Sequence, residues 1–134
     1  MSESAPEAKA DEKKAPVLPE KPTPEQAKEA ERLLQQASVA RIRGKTDIAE
    51  RALKEAAEVA PGSAAVRAAL GDELWGRGQM RKARDEYEIA HLLEPQHATY
   101  EIKWAEAILG STGDPLALTN ELRDSYASGK SAAI

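Results

Sequence analysis

Pro61 and Pro95 stand 34 residues apart, and so do Gly44 and Gly78. Ala49 with Ala83, Leu53 with Tyr87 and Ala56 with Ala90 keep the same interval. A period of this length constrains a chain more than any single residue does. Each unit is one supersecondary element with too little core of its own, and successive units must stack to bury a continuous apolar face.

Within each period the apolar residues recur at helical spacing. The first helical segment opens at Thr23-Pro24-Glu25-Gln26, where Thr23 is an N-cap, Pro24 fits the first turn and Gln26 completes a capping box. It carries Ala27, Ala30, Leu33, Leu34, Ala37 and Ile42 and ends at Arg43-Gly44-Lys45. A second helix is expected from about residue 47, capped by Thr46 or Asp47, to Val59. A third follows the Pro61-Gly62-Ser63 turn to about Trp75, and a fourth spans about Arg81 to Leu93. The fifth covers about His97 to Leu109, and Asp114 with Pro115 starts the sixth. Turns this short between helices require antiparallel neighbours.

Composition supports the same architecture. The chain of 134 residues holds 26 alanines, no Phe and only 4% aromatic residues. Alanine favours helix and allows close approach of helix axes, whereas a sheet would be enriched in β-branched and aromatic residues. The sequence therefore predicts an all-α fold. Residues 1–22, rich in Pro, Glu, Lys and Ala, are read as a disordered N-terminal tail, and 130–134 as a frayed end.

The register of Gly, Ala, large residue, Ala and Pro resembles the tetratricopeptide repeat. The resemblance implies an α-α superhelix of about three helical hairpins within residues 23–129, in units of about 30–63, 64–97 and 98–131. Leu70 and Gly71 match the family's Leu-Gly pair, and Gly71 is expected to face a neighbouring helix at close range. The family's first-helix Trp position departs, carrying Leu33 and Arg67. The third unit is imperfect as well. Gly113 lies 35 residues after Gly78, so the turn of that hairpin is expected to hold one extra residue.

In this family the first helix of each hairpin lines a concave ligand face. Carried onto this chain, that face comprises Leu34, Ala68 and Ile102 in one row, Ser38, Asp72 and Glu106 in a second, and Arg41, Trp75 and Leu109 in a third. Glu31, Ala65 and Thr99 form a fourth. Such a surface, apolar on one side and acidic at its centre, implies a protein or peptide partner with an aliphatic anchor and a basic residue. Leu34 and Ile102 have a core reading as well, and Trp75 an alternative role covering the end of its hairpin. Trp104 and Tyr87 are read as core. Family members that hold a partner's C-terminal carboxylate use two asparagines on successive first helices, and Asn120 is the single asparagine here.

The function implied is that of a non-catalytic adaptor. The alternative is an oligomerisation module that self-associates through the last helix, by Leu118, Leu122 and Tyr126. No cofactor or metal is expected: there is no cysteine, and His91 and His97, read as surface or turn residues, lack metal-ligand spacing. A formal net charge of −4 without a basic tract gives no support to nucleic-acid binding. No run of about 18 apolar residues is present to insert in a membrane. The absence of cysteine suits a cytoplasmic location.

Overall fold

The computed structural model describes residues 17–127, with side chains described as far as Asp124. Residues 1–16 of the expected tail and 128–134 at the other end lie outside the described residues. Six helices follow an irregular segment at 17–23: α1 (Pro24–Ile42), α2 (Thr46–Val59), α3 (Ala64–Gly76), α4 (Met80–Leu93), α5 (Ala98–Thr112) and α6 (Pro115–Ala127). No strand occurs among the described residues.

The helix ends show why the chain breaks where it does. At the start of α1 the Gln26 backbone N–H donates to Thr23 Oγ1 at 3.1 Å, and the Thr23 N–H donates to Gln26 Oε1 at 2.9 Å, the reciprocal pair of a capping box. At the end of α1 Gly44 takes φ +76°, and the Gly44 and Lys45 N–H groups donate to the Arg41 and Ala40 carbonyls. The end of α3 repeats this arrangement at Gly78, φ +79°, with Gly78 and Gln79 donating to Trp75 and Leu74. These paired bonds satisfy helix-terminal carbonyls and reverse the chain within three residues. Side chains do not start the returning helices: Lys45 and Gln79 are the N-caps of α2 and α4, and neither makes a side-chain cap bond. Thr46, expected as a cap, is the first residue of α2 instead.

Helix boundaries recur with the sequence period. Thr46–Val59 and Met80–Leu93 are both 14 residues long and lie 34 residues apart. The third turn departs. Gly113 caps α5 with a single bond from its N–H to the Leu109 carbonyl at 2.7 Å, and α6 begins one residue later than the period requires. The Asp114 carboxylate then accepts from the Leu116 N–H at 3.0 Å.

Burial follows the predicted stripe of α1 at Ala30, Leu33 and Ala37, whereas Ala27 and Ile42, expected on it, are exposed, as is Ile48 at the start of α2. Ala37 and Ala40 of α1 pack on Ala49, Ala52 and Leu53 of α2, an interior made largely of methyl groups. Ala30, Leu33, Ala56, Ala60 and Val66 form a second cluster at the other end of this hairpin, reaching α3. Tyr87 and Ala83 of α4 join Trp104, Ala107 and Ile108 of α5, while Ala64, Ala68, Ala90 and Leu93 fill the α3–α4 crossing. Gly71 is buried against α4. A Cβ there would lie 2.6 Å from Tyr87 Cδ1 and 2.9 Å from its Cζ, so only a residue without a side chain fits.

The hairpins are joined unevenly. The α4–α5 contact is nearly as extensive as those within the α1–α2 and α3–α4 hairpins, whereas α2 and α3 approach each other at few places. Ion pairs reinforce the thinner junction. Glu73 of α3 accepts from Arg41 of α1 at 2.7 Å and lies 3.2 Å from Arg77, which also pairs with Glu50 of α2. Within residues 17–22, assigned by sequence to the tail, the Glu20 carbonyl rests against Gly62 in the α2–α3 turn.

Candidate binding surface

Two side-chain bridges show that α1, α3 and α5 lie side by side. Arg41 to Glu73 joins α1 to α3, and Lys103 Nζ to Asp72 Oδ1, at 2.9 Å, joins α3 to α5. Glu31 and Ser38 of α1, Ala65, Asp72 and Gly76 of α3, and Thr99, Ile102, Glu106 and Leu109 of α5 are all exposed.

The candidate residues divide sharply by environment. Ile102 is 56% exposed and Leu109 39% exposed, although both are large aliphatic side chains. With Glu106 they fall on one side of α5, because steps of three and four residues return to the same helix face. Ser38 is exposed and Arg41 is exposed but committed to Glu73. Ala68 is buried under Ala64, Ala90 and Leu93, with Tyr100 packed over it. It therefore belongs to the α3–α4 crossing and not to the accessible row that the resemblance implied. Leu34 is half-buried and packs against both clusters of the first hairpin, which favours its core reading.

Trp75 is also half-buried. A side chain at Gly110 of α5 would meet the Trp75 ring at 3.0 Å, and the ring joins the cluster around Tyr87 and Trp104. The absence of a side chain at Gly110 makes room for the indole, which closes the gap between α3 and α5.

Asp72 is not the open carboxylate that the sequence suggests. Its Oδ1 accepts from the Tyr87 hydroxyl at 2.6 Å as well as from Lys103. Burial first, and then this hydrogen bond and the Asp72 charge, hold the Tyr87 phenol protonated well above its ordinary range. Lys103 also sits 5.7 Å from the Tyr87 ring centroid. The Asp72 carboxylate is thus balanced by Lys103, and Glu106 is an exposed carboxylate on α5.

The histidines differ from expectation and from each other. His97 is exposed at the start of α5, its ring stacked on Tyr100 at 3.9 Å. His91, expected at the surface or in a turn, is fully buried, stacked on Trp104 at 5.2 Å between ring centroids. Burial lowers its pKa below the ordinary value, and the nearby Glu101 charge opposes that shift. The sequence offered a clue: His91 follows Ala90 by one residue and Tyr87 by four, on the stripe that α4 buries.

Leu118 and Leu122 of the last helix turn toward the Tyr87–Trp104–Ile108 cluster and are half-buried there. Tyr126 lies on α6, but its side chain is outside the described residues. The opposite side of α6 presents Leu116, Thr119, Asn120 and Arg123, a mostly polar exterior.

Sequence reasoning missed Lys103, Glu73 and Arg77. Glu73 and Arg77 stand at i,i+4 spacing, a local signal, but their other partners Arg41 and Glu50, like the Asp72 partner of Lys103, lie about 30 residues away, where no local pattern marks them. Among the described residues no group of three or more His, Asp or Glu side chains is placed to hold a metal ion. No described helix is long and apolar enough to cross a membrane. No family model, characterised protein or solved structure matches the chain.

Proposed function

We propose that this chain is a non-catalytic protein- or peptide-binding module of the tetratricopeptide type, working through the face made by α1, α3 and α5. The observation that carries the reading is the exposed pair Ile102 and Leu109 on the same side of α5 as Glu106. Large aliphatic side chains held at the surface by a rigid helix offer apolar area for burial without a cost in folding the site. A neighbouring carboxylate adds a preference for a basic group and sets orientation. The 34-residue recurrence of helix boundaries and the matched glycine turns support the repeat-family reading.

The partner is a segment with an aliphatic side chain and a lysine or arginine. Binding of an array of synthetic peptides combining leucine or isoleucine with lysine or arginine tests this. Ile102→Asp is expected to abolish capture and Glu106→Lys to weaken it, both with unchanged helicity. Surface substitutions of this kind shift stability by no more than about 0.5 kcal/mol. Equal capture by wild type and Ile102→Asp would remove the basis for the reading.

A second reading is self-association. The inward placement of Leu118 and Leu122 leaves those two residues little area to offer a second copy, so another surface has to supply it.

A further inference from the structure

The first hairpin carries a surface opposite in character to the α5 strip. Where α1 ends and α2 begins lies an open depression of about 460 Å³, whose lining includes the aliphatic Val39, Ala40 and Ile48 and the basic Arg32, Arg43 and Lys45. No carboxylate lines it, although the chain has a net charge of −4. Arg32 is paired with Glu29 at 2.6 Å, but the Arg43 and Lys45 side chains make no ion pair among the described residues. Ile42, at 83% exposure, stands one helical turn from Val39 and extends the apolar area.

Ile102, Glu106 and Leu109 supply the complement. Seven steps along the helix separate Ile102 from Leu109, making a ridge about 10 Å long, aliphatic at each end with a carboxylate between. We propose that the occupant of the depression is a second copy of this chain. The α5 ridge of one copy seats against Val39 and Ile48 of the next, with Glu106 facing Arg43 and Lys45.

Charge decides the geometry of association. Two depressions repel each other, and two ridges repel each other, so a two-fold pairing of like surfaces is disfavoured. Depression on ridge is attractive: made reciprocally about a two-fold axis it gives a dimer, and made once per copy it is heterologous. Such contacts build open chains or closed rings. The inference rests on the α5 strip being a docking surface, and it names a second copy as one partner with the required aliphatic and basic chemistry.

Light scattering on the full chain, read against its 14.5 kDa monomer mass, tests the proposal. The expected result is a mass that rises with protein concentration and falls back toward monomer as salt is added, because the paired charges are exposed and screened. Arg43→Glu/Lys45→Glu gives an acidic depression, and Glu106→Lys gives a basic ridge. Each variant alone is expected to associate about tenfold more weakly or worse, since like charges then meet. An equimolar mixture of the two restores association, because the acidic depression of one now faces the basic ridge of the other. All three positions are exposed, and circular dichroism of each variant confirms that folding is intact.

A short leucine- and lysine-containing peptide separates this inference from the reading beneath it. It is expected to compete with self-association, and Arg43→Glu/Lys45→Glu is expected to bind it as wild type does. A wild-type chain that binds the peptide yet stays at monomer mass at every concentration overturns self-association and leaves the docking surface standing. Association that persists in both variants, is indifferent to salt, or is not restored in the mixture also overturns it. If neither peptide nor second copy binds, both readings fall.

Discussion

Replacing Gly71 by alanine adds one methyl group at the point where α3 lies closest to Tyr87. The added Cβ would lie 2.6 Å from Tyr87 Cδ1, against the 3.5–4.0 Å or so at which carbon atoms make favourable contact. The ring has little freedom to yield, being buried and donating its hydroxyl to Asp72 at 2.6 Å. Overpacking of this sort costs about 1–3 kcal/mol. A ring displaced far enough to break the Asp72 bond loses about 1.5–3 kcal/mol more, because the acceptor is charged. Alanine returns about 1 kcal/mol through its better helix propensity. The net expectation is a loss of about 2 kcal/mol, or a fall in melting temperature of about 10 °C for a domain of this size. Urea unfolding followed by circular dichroism measures it. Gly76→Ala on the same helix is the control: nothing lies within 4 Å of the added Cβ, so stability is expected to hold or rise by up to about 0.5 kcal/mol. Adding Tyr87→Leu should make Gly71→Ala neutral or favourable. A Gly71→Ala protein as stable as wild type, or a penalty that persists without the tyrosine, would refute the close-packing argument.

Further expectations concern stability and its dependence on conditions. Burial depresses the folded pKa of His91, so the unfolded chain binds the proton first; stability present above the ordinary value of 6.5 is lost as the pH falls toward the folded value. Melting temperatures between about pH 7 and 5.5 should show this slope, and His91→Phe should flatten it. Trp75→Ala removes a half-buried indole that fills the space beside Gly110, and a loss of about 2 kcal/mol in urea unfolding is expected, about half that of a fully buried tryptophan. Glu73→Gln breaks the bridges from Arg41 and Arg77 and is expected to cost about 1 kcal/mol at low ionic strength. That penalty should shrink in about 1 M salt as the exposed arginines are screened.

Local chemistry made most of the fold legible. Thr23 and Gln26, the glycines at 44, 78 and 113, and Pro61 all act within a few residues of themselves, so their meaning is readable along the chain. The alanine stripes are equally plain because helical periodicity is short. What escaped were relations across hairpins. Ala68 occupies a position that sequence alone places on either side of α3, and the packing of Ala90, Leu93 and Tyr100 decides it. His91 was misread because a histidine suggests a surface residue until its neighbours on the stripe are weighed. The charge at Asp72 looked open because Lys103, its counter-ion, comes from a helix two elements away.

The alanine-on-alanine crossing of α1 and α2 has a genetic consequence. Where Ala83 meets Trp104 and Ile108, an enlarged side chain could be accommodated by trimming a large neighbour, and such second-site suppressors should be recoverable. Around Ala37, Ala40, Ala49 and Ala52 the large side chains to trim are Leu53, with Leu34 and Leu70 at the edge of the cluster. A lesion out of their reach can be relieved only by moving a whole helix. The first hairpin should therefore tolerate fewer compensated sequences than the α4–α5 contact, and variation over time should accumulate unevenly along the chain.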